Sequence, residues 1–469
     1  MVCVEKIQTA VAFKKSNGNS NVTAKTNNVE KISEKQKKNH LVLSLAGLSL
    51  LGIAGIYSYK KIKALNSDTI RATITDKEYY KNIQEGLKTE GIDVKLSSLK
   101  SIVAPNEFAK LIKKYKPEHF RVGMQVSKTS AENIPTEKFY ENLINGDFRV
   151  SLHTHSNFSD GKATVEEFLD SARKYADKVA KMNKKDGLPP LMIALTDHDC
   201  VNGCAEAIKI IAKNPEKYKN LKFVCGCEFS VRNGDKHHDI TGLVLNPFDI
   251  NLRQTLADLR NSRKNIIEDF LEKQPEYNGK KVTFSDLVKY EKEHYVKSGK
   301  SGKHSIENGS GIVCVRHGIK FYYQYTNQPV NHKLMNELGN KEILPIETVL
   351  SLIKMNNGYA SLTHPVKSFW RYIGEEELNK LKKMGIQGIE VNHQYSPSKI
   401  SELGKHNNTT DSDKLFKQIS EEYRNYADKN GLFISGGTDS HEKQIFSREP
   451  KISDNILNNK IYKTPDEIK

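Results

Sequence analysis

The sequence is poor in the residues and patterns that carry several common chemistries. It has six cysteines in 469 residues and a single tryptophan. The spacings "CVNGC" from Cys200 and "CGC" from Cys225 are not those of a zinc ribbon. They read as small buried thiols, a usage that leans towards a reducing compartment and leaves disulfides open. There is no G-x-S-x-G, no P-loop lysine and no G-x-G-x-x-G after a strand, so serine esterase, P-loop and dinucleotide chemistries have no support. Acidic residues are also in deficit, and the net charge is +16. Residues 1–147 hold 24 basic against 15 acidic side chains, so more than half of that excess sits in the first third of the chain.

Long apolar runs are missing too, with one exception. "HLVLSLAGLSLLGIAGIYSY", His40 to Tyr59, has no charge from Leu41 to Tyr57 and is collared by "KQKK" and "KKIK". That length and those collars read as a single transmembrane helix at the short end of what spans a bilayer. Lysines on both sides leave the side of the catalytic part undecided. Residues 1–39 are polar and without apolar period, and read as a disordered basic tail. Residues 60–147 mix helical stretches and short apolar runs into an α+β region without a motif. The N-terminal lysines could also attract nucleic acid, but aromatic residues are not interleaved with them, and lipid headgroups account for them equally well.

From Phe148 to about residue 450 the text changes. "FRVSLH", "LMIALTD", "KFVCGCEFS", "ITGLVL", "YASLTH", "GIEVN" and "LFISGGTD" read as strands and alternate with amphipathic helical patterns. Such alternation implies a parallel sheet or barrel. Only 275–340 breaks the rhythm, with "KSGKSGKHSIENGSG" reading as a mobile loop. Residues 451–469 form a tail. The strands end in a recurring residue type. "FRVSLH" delivers His153 and His155, which strand alternation puts on one face, and Asp160 follows on the loop. The others present His198, Glu228, His237 with Asp239, His364, Glu390 with His393, and Asp439 with His441. In parallel α/β folds the carboxyl ends of the strands converge. Buried imidazoles and carboxylates are costly unless a cation or partner satisfies them. A multinuclear site of Zn, Mn or Fe follows, suited to hydrolysing a phosphoester with a metal-activated water.

"LHTHSNFSDG", "ALTDHD", "GCEFS", "LTHP", "GIEV" and "GGTDSH", in this order, resemble the PHP (polymerase and histidinol phosphatase) domain over about residues 148–450. The resemblance implies a distorted (β/α)7 TIM-like barrel with three divalent ions. His153, His155, Glu228 and Asp439 would hold the first. Glu228 would bridge to a second, held also by His364. Asp160, His198 and His441 would hold the third. Three residues before Gly242, where the family carries a histidine for the second ion, stands Asp239; Asp239 or His237 would serve instead. Within the family, the bacterial branch that degrades short RNA and dephosphorylates nucleoside 3′,5′-bisphosphates is nearest. It has similar arginines on the helix "LRNSRKNIIEDF". Arg260 and Arg263 would then face the phosphate, with His393 and more weakly Lys367 beside it. The substrate expected is a phosphorylated small molecule or a short oligonucleotide, with the membrane met through 40–59 and no protein partner. Two alternatives compete: a histidinol-phosphatase-like enzyme, and a degenerate metal-binding scaffold tethered to the membrane.

Overall fold

In the computed structural model, residues 74–120 and 143–441 are described, apart from 146, 235, 297–304, 309–312, 342 and 394–396. The tails 1–39 and 451–469 and the apolar run 40–59 lie outside these residues. Among the described residues no helix is long and apolar enough to cross a membrane.

Eight strands form one sheet: β1 Val150–Ser151, β2 Leu191–Leu195, β3 Leu221–Asn233, β4 Lys236–Leu243, β5 Leu344–Pro345, β6 Tyr359–Leu362, β7 Gly388–Glu390 and β8 Phe433–Ser435. Their order is β1-β2-β3-β4-β6-β7-β8, with β5 on the flank of β3. The seven regions expected as strands all contain one. The all-parallel expectation needs correcting, because β4 runs antiparallel to both β3 and β6. The cause is local. Only Gly234 and residue 235 separate β3 from β4, and Gly234 takes φ +60°. A link that short makes a hairpin, whereas a parallel pair needs a crossover. β3 is long enough to serve two neighbours: Leu221–Cys225 pair with β2 and Gly226–Asn233 with β4. The hand-over is at Gly226, where a Cβ would lie 2.8 Å from Thr196 and 2.9 Å from the Gly242 carbonyl.

The sheet curls until its ends meet. The amide of Leu152 donates to Gly436 O (2.8 Å), that of Asp439 to His153 O (2.9 Å) and that of His155 to Ser440 O (3.0 Å). The result is a mixed α/β, TIM-like architecture. Helices cover its outside: α1 Asp76–Thr89, α2 Pro105–Ile112, α3 Val165–Lys181, α4 Asn202–Lys213 and α5 Ile250–Glu272 in the first half. Threonine–glutamate capping boxes start α1 (Thr75, Glu78) and α3 (Thr164, Glu167), each satisfying otherwise orphaned backbone donors. Because helices cover one face and side chains fill the other, β2, β6 and β7 are buried throughout, and β2 reads as an unbroken apolar run.

Residues 74–112 belong to the same core as the barrel. Tyr79, Ile83, Leu87, Phe108 and Ile112 pack with Ile193, Phe223 and Phe433. Backbone bonds tie Val103 N to Phe223 O (2.8 Å) and Phe223 N to Ser101 O (2.7 Å). The segment 275–340 carries three helices among its described residues: α6 Phe284–Glu291, α7 Val313–Tyr325 and α8 His332–Gly339. These helices and the end of α5 share a separate apolar core around Ile267, Phe270, Leu287, Ile319 and Tyr322. Most of the run read there as a mobile loop lies outside the described residues. Helices α9 Ile346–Met355, α10 Glu375–Met384, α11 Pro397–His406 and α12 Ser412–Asn430 complete the second half. All five described cysteines are free and buried, as read.

Candidate metal centre

The site is built at one end of the curled sheet. Just past β1, the buried Thr154 is clamped to Thr196 by three bonds, from Thr154 N to Thr196 Oγ1 (3.1 Å), and from Thr196 N (2.8 Å) and Thr196 Oγ1 (3.0 Å) to Thr154 O. Alternation then points His153 and His155 the same way. Their Nε2 atoms stand 3.1 Å apart. Glu228 Oε2 lies 3.0 and 3.2 Å from them, and Asp439 Oδ1 3.4 and 3.1 Å. All four residues are buried. The other oxygen of Glu228, Oε1, is 3.0 Å from His364 Nε2, and Asp239 Oδ2 is 3.8 Å from that nitrogen. On the opposite side, Asp160 Oδ2 lies 3.2 Å from His441 Nε2 and 3.8 Å from His198 Nε2, and His155 Nδ1 is 3.8 Å from Asp160 Oδ1. Among the described residues four groups of side chains could hold an ion: three have the membership expected from the sequence, with His155 added to the third, and the fourth is His153, Glu390 and His393.

The antiparallel hairpin explains how β4 contributes at all. Its start, not its end, lies beside the end of β3, so Asp239 faces Ser230 and is held by its hydroxyl at 3.1 Å. His237 is one strand repeat further out, opposite Arg232, and lies in none of the ligand groups. Burial, then the charges of Arg316 and Arg232, depress its pKa. His238 points to the other face, against the Phe369 ring at 4.6 Å.

Electrostatics follow the geometry. Burial alone would lower the pKa of His155, but its bonds to Asp439 and Glu228 outweigh burial and raise it to about 10. His153 is raised in the same way, by Glu228, Glu390 and Asp439. Burial opposes ionisation of Glu228, Asp439 and Asp160 as well, yet the surrounding imidazoles hold all three below the ordinary carboxylate range. Asp239 goes the other way: burial and the neighbouring Glu228 push it up. Two carboxylates so close favour a shared cation. Buried atoms without a hydrogen-bond partner point to the same thing, namely His155 Nδ1, His198 Nδ1 and Asp160 Oδ1. The nitrogen and oxygen donor set fits divalent Zn, Mn or Fe. Three of the residues involved, His364, Asp439 and the nearby Asp199, have φ of +29°, +49° and +45°. Backbone strain of this kind clusters at functional sites.

One participant went unassigned in the sequence. Glu390, 3% exposed, receives His153 Nδ1 at 3.1 Å and the amide of His364 at 2.8 Å, and sits 3.3 Å from His393 Nδ1. A carboxylate on Nδ1 fixes the tautomer that leaves Nε2 free for an ion. Its signal was present, as the acidic residue ending "GIE" on β7. Asp197 acts similarly by accepting from Ser156 N, Ser156 Oγ and Ser159 Oγ at 2.7–2.8 Å, which fixes the turn before Asp160. His393 is buried beside Glu390, with Nε2 3.9 Å from Asp439 Oδ2. Lys367 Nζ lies 3.7 Å from the same oxygen. The two arginines part company. Arg260 is half-buried, with Nη1 on the Asp199 carbonyl at 3.2 Å. Arg263 is 1% exposed, and its Nη2 meets Asp199 Oδ2 at 2.9 Å. That guanidinium is engaged by a buried carboxylate, so the phosphate-facing role expected of it is not what its surroundings provide.

No family model matches the chain. A curated relative, the 3′,5′-nucleoside bisphosphate phosphatase of Chromobacterium violaceum, is 26% identical over 296 residues, covering 62% of this chain and 87% of its own. Among solved structures, a candidate metal-dependent phosphoesterase from Bifidobacterium adolescentis aligns with a TM-score of 0.39 and 18% identity, over 66% of this chain and 93% of its own. An amidohydrolase from Chromobacterium violaceum, solved with bound sulfate and no metal, aligns with a TM-score of 0.38 and 21% identity, over 65% and 92%. The likeness to PHP-type metal-dependent phosphoesterases, nearest to the bisphosphate phosphatase branch, is borne out by the curated relative.

Proposed function

We propose that this chain is a metal-dependent phosphoric ester hydrolase of the nucleoside 3′,5′-bisphosphate phosphatase type, working from a distorted (β/α)7 barrel. The observation that carries the reading is Glu228. One buried carboxylate touches His153, His155 and His198 through Oε2 and His364 through Oε1, the position of a ligand shared between ions. The three groups would hold three divalent ions, with Asp239 in the second. Bound there, the ions supply a water of lowered pKa and positive charge opposite the phosphate oxygens. The chain's own residues do the rest. Glu390 and Asp197 hold the ligand-bearing turns. Arg260 and Lys367, both at the rim, offer donors to phosphate oxygens. His393 is aligned by Glu390 towards Asp439 and borders the same space.

The curated relative favours a bisphosphate over histidinol phosphate or an oligonucleotide. The test is phosphate release by the full chain from nucleoside 3′,5′-bisphosphates, with manganese and after chelation. Activity should need the metal and disappear in E228Q. A fully metal-loaded chain that releases nothing from nucleotides or other phosphomonoesters overturns the reading.

A further inference from the structure

Strand β2 stops at Leu195, and α4 starts at Asn202, yet the segment between them stays in ladder contact with β3. His198 and Glu228 form a parallel bridge, in which Glu228 N donates to Asp197 O (3.3 Å) and Asp199 N to Glu228 O (2.9 Å). The next bond of such a ladder would run from Ser230 N to the carbonyl of Asp199. Asp199 has φ +45°, and its carbonyl accepts from Arg260 Nη1 at 3.2 Å instead. The side chain takes the place of the carbonyl: Asp199 Oδ1 accepts from Ser230 N at 3.3 Å. The other oxygen, Oδ2, accepts from Arg263 Nη2 on α5 at 2.9 Å. Both Asp199 and Arg263 are at most 1% exposed. One buried carboxylate therefore ties helix α5 to the half of β3 that carries Glu228.

Ser230 is the next link. It opposes Asp239 directly across the β3–β4 hairpin, which puts the two side chains on one face. Ser230 Oγ donates to Asp239 Oδ1 at 3.1 Å, and Asp239 Oδ2 is the oxygen 3.8 Å from His364 Nε2. A carboxylate turns freely about its terminal torsion. The Asp239 side chain is 27% exposed, against 2% for His364 and 1% for Glu228. Packing restrains it least of the three, so a bond has to set which oxygen faces the other two ligands.

We infer that Ser230 and Asp199 are positioning residues for the second ion. Ser230 turns Asp239 Oδ2 towards His364 and Glu228. Asp199, anchored by Arg263, fixes the strand at Ser230. The inference rests on the reading of these groups as divalent metal sites, and adds how an aspartate is made to serve in the second one.

Manganese binding to the chelated full chain, followed by equilibrium dialysis, tests it without catalysis. S230A should weaken one ion about tenfold or more, the usual cost of losing the partner of a ligand, and leave the other ions within about twofold. The Tm of the chelated chain should barely move. In D239A, which lacks the group that Ser230 acts through, adding S230A should change binding no further. D199N should weaken the same ion, and D199N/S230A should weaken it by less than the product of the two separate losses. R263K, which keeps a positive charge beside Asp199 but loosens the anchor, should show the same coupling and serves where D199N fails to fold. Wild-type affinity in S230A, a uniform loss over all the ions, or a further loss when S230A is added to D239A overturns the role of Ser230. Losses that multiply in full overturn that of Asp199. A chain that binds manganese in this pattern and releases no phosphate from any ester sinks the phosphatase reading alone. A wild-type chain that binds no manganese sinks both.

Discussion

Arg260 and Arg263 show how far a spacing rule reaches. Three apart on a helix, they share a face, and nothing in "LRNSRKN" says that one will be buried against Asp199 and the other left at the rim. Burial depends on what α5 packs against, which is set by distant chain. The two should therefore fail differently. R263M leaves the fully buried Asp199 carboxylate without its partner, a loss of about 3–5 kcal/mol, and should lower Tm sharply. R260M should leave Tm nearly unchanged and lower kcat/KM; thermal melts and kinetics on both variants separate the roles. The histidines make a second prediction, in pH. The pKa of His155, about 10 in the fold, lies above its unfolded value of about 6.5. Its stabilising share is complete below about pH 6.5 and is lost as pH rises through 10. Glu228, Asp439 and Asp160 are depressed, so their share holds above roughly pH 4 and is lost in acid. The metal-free protein should be most stable between these limits and weaken towards pH 10. Divalent ions need neutral imidazoles, so manganese added to weakly buffered, chelated protein at pH 7 should release protons. A titration without acidification would contradict the protonated pair.

At the level of elements, the strands were legible because their inner faces repeat and their outer faces are covered. Most of the candidate ligands were legible because they end or follow one, whereas Glu228 lies within β3 and Asp239 near the start of β4. Direction was not. A period of two says that His237 and Asp239 share a face, but only the hairpin register decides which of them reaches Glu228. The helices of the insertion were hidden by a glycine- and lysine-rich run that reads as loop. The join between β1 and the segment after β8 depends on a glycine whose role was equally hidden. A Cβ on Gly437 would lie 2.4 Å from His153 Cβ and 2.6 Å from its backbone nitrogen. Backbone cannot yield as a flexible side-chain end can, so G437A should cost about 2 kcal/mol or more and displace His153 from Glu228 and Asp439. Metal content and Tm should fall together. G234A is the matched control. Gly234 needs positive φ but has open space around it, so its loss of about 1 kcal/mol should leave metal content intact. Equal metal content in the two variants would mean that the β1–β8 joint does not position the ligand.

For the molecule as a whole, the motifs point to a catalytic unit beginning near Phe148, and the packing points elsewhere. Residues 60–147 carry no motif because the best-packed part of them, 74–112, contributes packing, and packing leaves only scattered apolar positions in the text. Tyr79, Ile83, Leu87, Leu99, Ile102, Val103 and Phe108 are all at most 1% exposed. Tyr79 donates its hydroxyl to Leu245 O at 3.0 Å, and Tyr359 donates to Pro105 O at 2.9 Å. Phe108 packs against the rings of both Tyr359 and Phe433, at 5.1 and 5.7 Å. Emptying one such position costs about 2–5 kcal/mol, against a total stability of about 5–15 kcal/mol. A fragment that starts at residue 148 loses seven at once and bares the flank of β3 that Val103 covers. It should be expanded or aggregated, without a cooperative melt. A fragment that starts at Thr69, where the compact unit begins, omits the apolar run 40–59 and keeps every one of these contacts. It should be monodisperse, melt in one transition and release phosphate with manganese. Circular dichroism and gel filtration on the two fragments decide the matter: a 148–469 fragment that melts cooperatively would show that the barrel closes without its N-terminal helices.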